Sequence, residues 1–403
     1  MKNIEDVLKT RENIIVSGNL GSGKTTNVMF PIVDKLIDND ESLIITDVNK
    51  EYINTFYNKL NDKEYSIKVI SFGRSDNTDF FNLLTIPYNL YKNGEVSKSI
   101  NMLDSLGDHL IKSNAAIDPF WDNSAKSLFI GTCLSLFKDG SEKEINLNSV
   151  MEILRLFEMD DYAKNYFESK KEIREIFLNV EPIIYAPKET KGGIISVLRQ
   201  KLGLITSRET LSKVLSSNSI NIDELSNRKT AIFIEMPDMA SFYSVLVNAT
   251  IRELYEVLKD SSIRYNFILD NVDILDNNKD LDYMLYNVGV NYKFYLGTRS
   301  FEVLKECCGK YIESITNLIR VSDNITISDY KIEEPLELEK YKVGIKTDIE
   351  YPVLSVEDIS IFDAKDFVLK NVSVKESVST EELIARIDKK IQELEKMESK
   401  EGQ

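Results

Sequence analysis

Positions 18–25 read GNLGSGKT, a run whose residue types and spacing fit the chemistry of phosphate binding. Glycines at 18, 21 and 23 let the backbone turn tightly and aim several N–H groups at phosphate oxygens. The N-terminus of a following helix adds a favourable dipole. In such a loop Lys24 neutralises the β- and γ-phosphates and Thr25 holds Mg²⁺. The candidate nucleotide contacts are therefore Gly18, Asn19, Leu20, Gly21, Ser22, Gly23, Lys24, Thr25 and Thr26. Ile14-Ile15-Val16 precede the loop and no helix breaker follows until Pro31, which gives strand, loop and helix in the required order.

A phosphate loop that hydrolyses its nucleotide needs a second strand ending in an acid for the Mg²⁺ shell, and then a base to take a proton from water. Phe267-Ile268-Leu269-Asp270 supplies the first acid, so Thr25 and Asp270 are the expected metal residues. The next residue is Asn271, and an amide does not accept a proton at neutral pH. The missing base is worth about 10²–10⁴-fold in rate. Asp273 is close enough in sequence to stand in for it, and a neighbouring subunit could also supply one. Thr298 and Arg299 follow another strand pattern, where a polar residue can sense the γ-phosphate; Arg299 contacts phosphate there or is simply solvated. Candidates for the chemistry are thus Lys24, Asp270, Asp273 and Arg299. Asp47 ends a further apolar strand, and 47–51 lies near the site if the sheet order is conventional.

These residues must be positioned by a sheet. Apolar runs at 42–47 (SLIITD), 67–72, 231–236 (AIFIEM), 265–270 (YNFILD), 292–297 (YKFYLG) and 318–321 read as buried parallel strands. They alternate with helical patterns, so an α/β, doubly wound, mainly parallel sheet is expected, with ligands at the strand C-terminal ends. Residues 89–228 change character. They carry long amphipathic stretches, turn clusters at 138–140 and 191–193, and a helix start at Asp118-Pro119, where Asp caps and Pro fits the first helical position. The expected organisation is a nucleotide-binding domain over 1–88 and 229–376, an all-α insertion over 89–228, and an amphipathic C-terminal helix in 377–403 that begins at a capping box, Ser379 and Glu382.

Composition narrows the rest. The 403 residues are 42% hydrophobic, enough for a sizeable core. Three cysteines, Cys133, Cys307 and Cys308, form no paired framework or zinc spacing and fit a reducing cytosol. His109 is the only histidine, so histidine triads and multi-histidine metal sites are excluded. No apolar run reaches the length of a membrane span, and no signal peptide is expected. A formal charge of −16 argues against a broad nucleic-acid surface, so any DNA contact must be local. Its candidate is 182–208, where Lys188, Lys191, Arg199, Lys201 and Arg208 stand against Glu189 alone; the same charges also read as a solvated helix face.

Taken together, several stretches resemble the type IV coupling proteins, the P-loop ATPases of conjugation and type IV secretion. GNLGSGKT with Pro31 fits their phosphate loop and helix, and TDVNKE (46–51) is similar to their Thr-Asp-Pro-Lys-Gly-Glu turn. DPFWDNSAKSLF (118–129) is the most specific match. IFIEMPD (232–238), FILDN (267–271) and VLSVEDI (353–359) fall in the right order. The resemblance implies a RecA-like core interrupted by an all-α domain, ATP and Mg²⁺ as cofactors, hexameric rings, and DNA or DNA–relaxase substrates brought to a secretion channel. It further implies work on the cytoplasmic side of a membrane beside a membrane-anchored partner. Three departures stand out: Asn271 in place of a glutamate, Arg299 in place of a glutamine, and no N-terminal membrane helices. A nucleotide-binding scaffold or regulator that docks on a transfer machinery is the competing expectation.

Overall fold

The structure is a computed structural model that describes residues 8–73, 78–112, 118–159, 161–236, 241–275, 279–286, 291–308, 312, 315, 317–321 and 359–372. The expected C-terminal helix and most of the VLSVEDI stretch lie outside these residues, as do Pro237 and Asp238.

Seven strands form one sheet: β1 (Ile14–Gly18), β2 (Ser42–Val48), β3 (Ser66–Ser71), β4 (Thr230–Met236), β5 (Tyr265–Leu269), β6 (Tyr292–Thr298) and β7 (Asn317–Val321). Their order is β3-β4-β2-β5-β6-β1-β7, and all six pairings are parallel. β1, β4, β5 and β6 are buried along their whole length, because helices cover both faces and leave no polar side. On one face pack α1 (Phe30–Asp38) and α2 (Glu51–Asp62), whose Val33, Leu36, Ile53 and Phe56 meet Ile14, Val16, Ile45 and Phe233. The other face and the helical region share the second, larger core.

Between β3 and β4 the described chain is helical: α3 (Thr85–Lys92), α4 (Val96–Leu110), α5 (Pro119–Asp139), α6 (Leu147–Arg155), α7 (Tyr162–Glu168), α8 (Arg174–Ile184), α9 (Lys188–Thr206), α10 (Glu209–Val214) and α11 (Ile222–Leu225). Nearly every residue of the C-terminal half of α5 is buried, from Leu128 to Phe137, so it is the hub of this region. Asp118 caps it as expected, its carboxylate accepting the N–H of Phe120 at 2.9 Å. The turn expected at 191–193 is instead helical, inside α9. Two adjacent glycines signal a turn locally, but the packing decides otherwise. A Cβ on Gly193 would stand 2.5 Å from the Trp121 ring, so the bare backbone is what lets α9 close onto α5.

After β4 come α12 (Ser241–Leu258), α13 (Lys279–Tyr286) and α14 (Phe301–Cys308). His109 on α4 binds Asp280 on α13 at 2.8 Å, with Ser105 Oγ donating to the same carboxylate at 2.5 Å. The single histidine is thus a tie between the helical region and the segment after β5. Late in the chain, α15 (Ala364–Asn371) returns to the helical region. Asn146 donates to the Ser360 carbonyl at 2.8 Å, and Phe362 N–H donates to Ser149 at 2.9 Å.

Candidate functional site

The C-terminal ends of β1, β2, β5 and β6 lie side by side, and the loops that leave them make one site. β1 runs into the glycine loop, where Gly21 (φ 78°) and Gly23 (φ 81°) take left-handed conformations that side chains avoid. Helix begins at once with a wide π turn, Thr25–Met29, which leads into α1. Lys24 is almost wholly buried, whereas Leu20 at the loop tip is 77% exposed. Ser22 Oγ is buried without a hydrogen-bond partner in a loop whose own N–H of Ser22 closes a turn onto the Asn19 carbonyl at 3.1 Å. Such a loop suits phosphate oxygens.

Asp270, the residue after β5, is brought to the loop because only β6 separates β5 from β1. Thr25 Oγ1 donates to Asp270 Oδ2 at 2.7 Å, across 245 residues of chain. Tyr52 Oη donates to the same oxygen at 2.9 Å, and the N–H of Asn271 donates to Oδ1 at 2.8 Å. Gly297 on β6 makes room for this carboxylate, since a Cβ there would fall 2.0 Å from Asp270 Oδ1. A threonine hydroxyl beside one buried carboxylate is a sparse donor set. Among the described residues no cluster of three or more histidine, cysteine or acidic side chains could hold a metal. The hydroxyl of Thr25 and the carboxylate of Asp270 are hard oxygen donors of the kind that Mg²⁺ takes alongside waters and phosphate.

Asn271 adopts φ 54° and ψ 44°, a left-handed conformation that asparagine tolerates better than most residues. Its neighbour Asp273 is brought to the end of β6. There Oδ1 accepts from the Thr298 hydroxyl, and Oδ2 accepts the N–H of Arg299 at 2.7 Å, with Arg299 Nε 4.0 Å away. Both carboxylate oxygens are therefore engaged. The Arg299 side chain is half exposed.

The turn after β2 lies near the site, as expected for 47–51, because β2 pairs with β5. Asn49 and Lys50 are both left-handed, which reverses the chain sharply into α2. Asp47, fully buried, accepts the N–H groups of Tyr52 at 3.0 Å and Ile53 at 2.9 Å and so pins the start of α2. Burial raises the Glu51 carboxyl above its usual range, helped by Asp270 and opposed by Lys24, so Glu51 shares the electrostatic field of the site. Tyr52 was missed because its hydroxyl meets Asp270 only through the β2–β5 pairing, Thr46 beside Leu269.

Burial pushes the Asp47 carboxyl up to about 7, against the lowering effect of the two N–H groups, with Glu235 and Glu51 adding to the rise. A carboxyl raised on folding binds its proton more tightly in the folded state. Its stabilising contribution is complete below the unfolded value near 4 and is lost as pH rises through about 7. Wild-type protein is expected to lose melting temperature relative to Asp47→Asn as pH goes from 5 to 8. A difference that stays constant over that range would refute the assignment.

The basic stretch 182–208 lies mostly on α9 and is less free than its charge suggests. Arg199 is paired with Glu158 and also donates to the Leu154 carbonyl at 2.9 Å, while Arg208 bonds the Leu204 carbonyl. Lys188 is exposed, and Lys191 and Lys201 are half-buried.

In overall fold the chain is similar to the bacterial conjugative coupling protein TrwBdeltaN70 in its trigonal form with sulphate. The TM-score is 0.58 at 13% identity, over 80% of this chain and 74% of that one. TrwB with a non-hydrolysable ATP analogue gives a TM-score of 0.53 at 13% identity over 78% and 71%. TrwB with ADP and Mg²⁺ gives 0.52 at 13% identity over 76% and 66%. No curated protein sequence matches the chain. No helix among the described residues is long and apolar enough to cross a membrane. The family model for type IV secretory system conjugative DNA transfer matches residues 5–276, about two-thirds of the sequence and the whole path from the phosphate loop through Asp270, and the chain belongs to that family.

Proposed function

We propose that the chain binds Mg-ATP through residues 18–26 and couples the bound state to recruitment of a DNA or DNA–relaxase substrate for conjugative transfer. The observation that carries this reading is the 2.7 Å contact between Thr25 and Asp270 beside a glycine loop in which Ser22 Oγ is buried without a partner. Lys24 balances phosphate charge, and Thr25 with Asp270 holds Mg²⁺, which when bound screens the phosphate oxygens. Asp273 holds the loop that presents Arg299. The core over 1–88 and 229–376 carries nucleotide and the helical insertion over 89–228 faces the substrate. Assembly into hexamers, and work at the cytoplasmic face of a membrane beside an anchored secretion component, belong to the same proposal.

Asn271 favours a second reading, in which nucleotide is held with little turnover and the protein acts as a scaffold or regulator of an active machinery. The two readings part on DNA. Fluorescence anisotropy with single- and double-stranded DNA at two salt concentrations compares wild type with a variant in which Lys188, Lys191 and Lys201 are all changed to Glu. Salt-dependent binding that the variant loses supports direct recruitment. Binding absent from both proteins, or equal in both, removes α9 from the mechanism and leaves the scaffold reading.

A further inference from the structure

We propose that Tyr52 is a positioning residue for the metal: its hydroxyl, together with the Asn271 N–H, holds the Asp270 carboxylate in the orientation that faces Thr25 and Mg²⁺. This rests on the reading of Thr25 and Asp270 as the metal-holding pair. In the structure Asp270 Oδ2 accepts from both Thr25 at 2.7 Å and Tyr52 at 2.9 Å, while Oδ1 is held by the N–H of Asn271 at 2.8 Å. A threonine hydroxyl can turn a lone pair to a cation and still donate its one O–H to the carboxylate, but its own rotation is then set by the metal. Tyr52 and the Asn271 N–H then remain as one fixed donor on each oxygen, and two such donors stop the carboxylate from rotating.

Tyr52 is built for such a role. Its backbone N–H is held by Asp47 at 3.0 Å. Its ring is buried and packs edge-on against Phe30 of α1 with centroids 4.9 Å apart, which ties it to the helix that leaves the phosphate loop. The hydroxyl thus arrives from a different element than Thr25. Partners of this kind, one bond removed from a metal, typically contribute about 10–100-fold to metal affinity.

The test titrates a fluorescent ATP analogue into wild type, Tyr52→Phe and Asp270→Asn, first in EDTA and then at rising Mg²⁺, with melting temperatures recorded alongside. Tyr52→Phe keeps the ring and leaves Asp270 two other donors, so the variant folds. Its Mg²⁺ concentration for half-maximal tightening is expected to rise about tenfold, with the affinity in EDTA within about twofold of wild type. Equal loss in EDTA and in Mg²⁺ would mark Tyr52 as structural only and overturn the proposal, as would an unchanged Mg²⁺ midpoint. Asp270→Asn tests the underlying reading separately. If it retains the wild-type Mg²⁺ response, Asp270 is not a metal residue, whereas if it loses the response while Tyr52→Phe behaves as wild type, only the role of Tyr52 fails.

Discussion

Lys24→Ala is expected to bind ATP in the presence of Mg²⁺ roughly 10–150-fold more weakly than wild type, the effect of losing about 1.5–3 kcal/mol of charge-assisted hydrogen bonding. The lysine is almost wholly buried in the loop, where water screens its charge poorly. Truncation leaves the backbone cradle intact, because Gly21 and Gly23 rather than Lys24 carry the left-handed turns. Residual weak binding is therefore expected, with the protein still folded. Calorimetry on the two proteins measures the difference, and unchanged affinity would place the nucleotide elsewhere.

The second large effect concerns turnover. Wild-type hydrolysis is expected to be very slow, because the amide of Asn271 takes no proton and the Asp273 carboxylate is occupied by Thr298 and Arg299. Asn271→Glu should raise steady-state ATP hydrolysis at least several-fold, against the roughly 10²–10⁴-fold that a well-placed base contributes. The gain is capped by the backbone, since a left-handed residue other than glycine or asparagine costs about 1–2 kcal/mol. Brisk wild-type turnover that vanishes only in Asp273→Asn would assign the proton to Asp273 and overturn this account.

Much of the architecture is visible in the residue order because fully buried parallel strands need continuous apolar runs. Those at 42–47, 231–236, 265–270 and 292–297 match strands within a residue or two. Local rules also identify the Asp118 cap. What escapes them is set by contacts distant in sequence. The Gly192-Gly193 pair reads as a turn until Trp121 is known to lie against it. Tyr52 resembles any aromatic on an amphipathic helix, and its pairing with Asp270 spans 218 residues. Asn271 stands in sequence where a base is expected, yet its left-handed backbone, which also accounts for an asparagine there, shows only in three dimensions.

The sheet order also bears on how the molecule is made. β1 is made before the other six strands, but its two neighbours are β6 and β7, which end at Thr298 and Val321. At about 5–20 residues per second, the strand feeding the phosphate loop waits on the order of 15–60 seconds for a partner. β2 waits similarly for β4 while the whole helical region is synthesised between them. Long-range parallel pairing of this kind folds slowly and leaves apolar edges open in the nascent chain. A chain halted before β6 has the complete GNLGSGKT loop yet no strand beside β1 to hold it, so the contact between Thr25 and Asp270 is among the last features the growing polypeptide can secure.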